Sequence, residues 1–108
     1  MRDFIKAGLA TLVLSLSLAA PVAAGPYEDG MAAYRSGDDA TALRLLDPLA
    51  DQGYAPAQMT LGSMYQFGRG VPQDYSAAAK WFRKATDQGY APAQLSLDNL
   101  GMWRIVHV

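Results

Sequence analysis

Few residues in this 108-residue chain have both the type and the spacing that catalysis or ligation needs. Ser76 and Lys80 come nearest to a nucleophile and its base. A serine acylase keeps its lysine three positions after the serine, in S-x-x-K, and here the lysine falls one residue too late. His107 is the single histidine and there is no cysteine, so no second nitrogen or sulfur ligand exists to complete a metal site. Gly68-Arg69-Gly70 has the start of a phosphate-cradling loop, but the third glycine, the closing Lys-Ser/Thr and a preceding strand are missing. It reads as a solvent-exposed turn between helices. The adjacent carboxylates Glu28-Asp29 and Asp38-Asp39 diverge on a helix, which suits capping and helix-dipole roles rather than an acid/base pair. The expectation is no catalytic residue, no cofactor and no metal, hence no enzyme.

Charge and the ends of the chain narrow the classes further. Residues 1–24 join a basic start, Arg2 and Lys6, to an apolar stretch and the small residues Val22-Ala23-Ala24. That pattern predicts a secretory signal peptide cleaved after Ala24 and a periplasmic or secreted product, which would touch a membrane only before cleavage. A retained anchor is the competing reading, because Ala7 to Ala24 carries no charge. Seven basic and nine acidic residues remain in 25–108, with no basic stripe for a phosphate backbone, so nucleic acid is not an expected partner. Without cysteine there is also no disulfide framework.

The elements that must position any site are set by an internal repeat. Asp-Gln-Gly-Tyr-Ala-Pro-Ala-Gln occurs at Asp51 to Gln58 and again at Asp87 to Gln94, an offset of 36 residues. A period of this size marks one supersecondary unit stacked on copies of itself. Upstream of each copy, Ala42, Leu45, Leu46, Leu49 and then Ala78, Trp81, Phe82, Ala85 recur at i, i+3, i+4, i+7. Each set lies on one face of a helix, which assigns Trp81 and Phe82 to the core. Gly53 and Gly89 come just after these stripes, and Pro56 and Pro92 stand three residues later, so one helix stops and the next begins. Gly68 to Pro72 breaks the chain again, and Asp74 caps the helix that holds Trp81. Helices are predicted near 27–36, 39–52, 56–67, 74–88 and 92–102, with a kink at Pro48. The fold class is all-α, a short solenoid of antiparallel helix pairs whose last repeat is incomplete.

The run Ala57 to Tyr65, then Gly68-Arg69-Gly70-Val71, Asp74, Ala78, Trp81, Lys84-Ala85 and Gln88-Gly89, closely resembles the Sel1-like repeat. The resemblance implies a right-handed α-solenoid of the tetratricopeptide kind and a protein-binding adaptor or scaffold. It divides 25–108 into a divergent first unit (25–54), in which Gly37 replaces the longer loop, a full unit (55–90), and a truncated unit with a tail (91–108). Some cysteine-rich members of that family have been linked to penicillin binding and β-lactamase activity. The missing cysteines and S-x-x-K leave a hydrolase as an alternative by analogy only. A truncated gene product without function is the other alternative, since 102–108 fits no second helix.

A binding face on the full unit's first helix should lie opposite Ala57, Leu61, Met64 and Tyr65. At 100° per residue that face holds Met59, Ser63 and Gln66. The apolar tail, with Trp103 and Ile105, breaks the rule that terminal repeats carry a polar outer face and is expected to promote self-association.

Overall fold

A computed structural model of the chain describes the backbone of residues 25–106 and the side chains of 25–102. The proposed signal segment and its cleavage site, and His107, lie outside the described residues. So do the side chains of Trp103 and Ile105. Among the described residues the structure is all helix: α1 (Pro26–Ser36), α2 (Asp39–Asp51), α3 (Ala55–Phe67), α4 (Tyr75–Asp87) and α5 (Ala91–Val106). Successive helices pack on one another, and α3 also touches α5, as in a short solenoid of repeats.

Local chemistry sets the boundaries. Pro26 opens α1, and the Glu28 carboxylate accepts from the Gly25 amide at 3.0 Å, half of a capping box. Asp38 and Asp74 cap α2 and α4, their carboxylates accepting from the amides of Thr41 at 3.3 Å and Ala77 at 3.1 Å. The two octapeptide copies build the same turn. Tyr54 and Tyr90 donate their amides to Leu49 and Ala85, 3.0 and 3.2 Å away, closing over glycines at φ 99° and 85°. That left-handed backbone is why glycine stands at 53 and at 89. Helix α2 continues through Pro48 to Asp51. Both Pro48 and Arg44 are on its exposed side, where water can serve the carbonyl that the proline leaves unpaired.

Two clusters form the core. The first joins α1, α2 and α3 through Ala33, Ala42, Leu46, Ala50, Ala57, Leu61 and Met64. The second gathers Ala78, Phe82 and Leu100 of α4 and α5, with Met59, Tyr65 and Leu97 packed around them. Phe82 is fully buried and its ring lies over Gly62, where an added Cβ would stand 2.5 Å from ring carbons. Only glycine lets α3 and α4 approach this closely. The core assignment holds for Phe82, whereas Trp81 is half-buried. It packs at the edge of the first cluster, with Lys84 Nζ 4.7 Å from its ring centroid. On α4 the fully covered positions are 78, 82 and 85, and 81 falls to one side of that line.

The last helix runs past its expected end at 102, to Val106. Residues after Met102 thus extend the third unit's first helix instead of forming a separate tail.

Candidate interaction surfaces

The residues assigned to a binding face do not share an open surface. Gln66 is buried, at 8% exposure, while Met59 and Ser63 are half-buried. Met59 packs against the cluster of Ala78, Phe82 and Leu100, and the Gln66 carbonyl accepts from Gln73 Nε2 at 2.8 Å. The outward placement of Met59 and Gln66 is therefore corrected. A single-stripe helical wheel describes a helix at the surface of a core, but α3 is covered by α2, α4 and α5 together. Its sequence carried the signal, since no charged residue occurs between Ala55 and Phe67. A helix that is uncharged all round is normally an interior one.

The Gly68-Arg69-Gly70 turn also does more than the sequence suggested. The Arg69 guanidinium crosses to the preceding unit, donating from Nε and Nη2 to Asp39 Oδ1 at 3.1 and 2.7 Å. Nη2 also donates to the Tyr34 carbonyl at 2.7 Å, and the guanidinium carbon stands 3.9 Å above the Tyr34 ring centroid. Asp39 is thus an inter-unit ion-pair partner as well as a first-turn acid. Contacts this far apart in sequence leave no periodic trace.

A second inter-unit link uses the repeated octapeptide. Gln58, buried at 4% exposure, donates from Nε2 to the Ala50 carbonyl at 3.1 Å and accepts from Gln88 Nε2 at 2.9 Å. Among the described residues every buried side-chain nitrogen and oxygen has a partner.

The starts of α1, α3 and α5 bring tyrosines to one edge. Tyr27 meets Tyr54 edge to face at 5.1 Å between centroids, and Tyr54 is 45% exposed. Burial raises the Tyr27 phenol above its ordinary value, and nearby Tyr90, Tyr54 and Glu28 push it the same way against Arg35. Ser76 and Lys80 are exposed on α4.

Helix hairpins repeating at 36 residues and packed in series define a helical-repeat protein. Residues 55–90, comprising α3, the loop after it and α4, match the Sel1 repeat family, which supports a Sel1-like repeat in that stretch. No curated protein matches the chain. Sel1 repeats are generally protein–protein interaction modules, and the family is typically non-catalytic.

Proposed function

We propose that the chain is an adaptor that works outside the cytoplasm and binds a protein partner along the edge formed by Tyr27, Tyr54 and Tyr90. The observation that carries this reading is the exposure of Tyr54 on a rigid inter-unit turn, beside a second ring held at 5.1 Å. Tyrosine offers a large contact area with few rotors and a hydroxyl for hydrogen bonding, the combination that protein-binding surfaces favour. The turn beneath is fixed by backbone hydrogen bonds at both octapeptide copies, so little ordering is left for the binding step. Export rests on the sequence of residues 1–24.

The test uses the exported protein as bait in periplasmic extract. Wild type should retain a partner that Tyr54→Ser loses, while Ser76→Ala, a substitution at an exposed position on α4, retains it. Equal capture by wild type and Tyr54→Ser would overturn the assignment of this edge. Intact mass of the same material should begin at Gly25, and an uncleaved chain in the membrane fraction would contradict cleavage and support the retained anchor instead.

A further inference from the structure

Gly25 enters α1 tied at both of its backbone ends. Its nitrogen donates to Glu28 Oε1 at 3.0 Å, and its carbonyl accepts from the Asp29 amide at 2.9 Å. The residue is extended, at φ −104° and ψ −176°, and the helix starts at Pro26, so no slack separates it from the first turn. A Cβ at 25 would stand 3.1 Å from Glu28 Oε1, so glycine gives the carboxylate room to close on the nitrogen. Glycine also has no side chain to return the bond, and Glu28 here serves the nitrogen of residue 25 alone. Neither α3 nor α5, which begin in mid-chain, has an acidic residue in its first turn. The nitrogen that Glu28 meets is the one that hydrolysis after Val22-Ala23-Ala24 would release.

We propose that cleavage after Ala24 installs an ion pair in the fold, with the new α-ammonium of Gly25 held by the Glu28 carboxylate at the start of α1. The inference rests on the export reading and goes beyond it by giving the new terminus a structural role. Water adds across the Ala24–Gly25 peptide bond in an export peptidase. Ala24 leaves with its carboxylate on the released segment, and Gly25 keeps an amine that takes up a proton at neutral pH. An amide with one donor thereby becomes an ammonium with three, on an atom already 3.0 Å from the carboxylate. An unpaired ammonium at a helix N-terminus opposes the helix dipole, and the Glu28 charge offsets that. A cut one residue earlier would leave the nitrogen of 25 an amide and set the ammonium beyond this contact. The pair bears on the tyrosine edge, because Tyr27 lies in the same first turn, 5.1 Å from the Tyr54 ring.

The test takes the exported protein as its host makes it, as wild type and as Glu28→Gln. Glutamine keeps Oε1 as an acceptor, so the variant removes the charge and leaves the hydrogen bond. Intact mass gives the first residue of each chain. The rate at which an amine-reactive reagent acylates the α-amino group, followed against pH and assigned by the mass of the N-terminal peptide, gives that group's pKa apart from the lysines. Both chains should start at Gly25, and the α-amino pKa should be lower in Glu28→Gln by about half a unit, the size of an exposed ion pair. At pH 7 this is about threefold faster acylation of the variant, and the difference should shrink at high salt. A chain that starts at Gly25 and acylates equally fast in both forms would overturn the ion pair and leave export standing. A chain that starts elsewhere, or is uncut, would overturn the inference and the cleavage reading together.

Discussion

Gln58 and Gln94 occupy the same place in two copies of one octapeptide, yet their surroundings are opposite. Gln58 is buried and ties the Ala50 carbonyl of the unit before to Gln88 of its own unit. Gln94 is exposed and turns to Asp98 one turn along its own helix. The two helices that carry them differ in the same way, since α3 is packed by three others and α5 keeps Leu95 and Met102 bare. Identical local sequence thus yields a structural bracket in one copy and a surface residue in the other. The neighbours decide which, as expected of a quasi-one-dimensional stack in which each unit is completed by the next.

The contrast is easiest to break where α3 meets α4. Phe82→Ala should cost about 3–5 kcal/mol, the usual penalty for truncating a buried aromatic, against the roughly 5–15 kcal/mol that keeps a native domain folded. Trp81→Ala should cost less, because that ring is half-buried. Gly62→Ala places a methyl 2.5 Å from the Phe82 ring and should cost about 1–3 kcal/mol by overpacking. Asp98→Ala, at the equivalent position of α5, meets no such ring and should be nearly silent. Urea denaturation followed by circular dichroism measures all four, and equal effects at 62 and 98 would contradict the difference drawn between the helices.

Removing the octapeptide glutamines sharpens the contrast. Gln58→Ala strands a buried carbonyl and should cost about 1–3 kcal/mol. Gln94→Ala should stay within about 0.5 kcal/mol, as ordinary surface substitutions do. The Arg69 latch is of similar size to the first of these: Arg69→Ala should cost about 1–2 kcal/mol through its charge-assisted hydrogen bonds and its stacking on Tyr34. The deficit of Asp39→Asn relative to wild type should shrink at high salt, which screens the ion pair.

The smallest effect concerns pH. Hydrogen bonding from Thr41 holds the Asp38 carboxyl below its ordinary value. A carboxyl depressed in the folded state stabilises above its unfolded pKa, near 3.9, and loses that contribution as pH falls through the lower folded value. Wild type should therefore lose stability more steeply than Asp38→Asn below about pH 4, while the gap between them stays constant from about pH 5 to 7. Thermal melts at each pH measure it.

Much of the fold was legible because helices announce themselves locally. The stripes at 42, 45, 46, 49 and 78, 81, 82, 85, the glycines at 53 and 89 and the caps at 38 and 74 all act within two turns of their own position. What stayed hidden acts between units. Arg69 reaches Asp39 and Tyr34 across 30 and 35 residues, and no spacing rule links them. The burial of Gln66 and Met59 depends on how many helices surround α3, which an amphipathic wheel does not count. The absence of charge from Ala55 to Phe67 was the one sequence clue to it. The tyrosine edge was missed for a related reason. Tyr54 and Tyr90 recur at the 36-residue period, but Tyr27 joins them only through the packing of α1.

Residue-resolved amide hydrogen exchange tests most directly whether neighbours, rather than local sequence, set the stability of each copy. At a concentration too low for self-association, amides of 58–66 in α3 should exchange only through global unfolding. Their counterparts 94–102 in α5 should exchange at least about tenfold faster through local opening. Equal protection in the two helices would contradict the account, because one octapeptide would then carry the same stability wherever it stands in the stack.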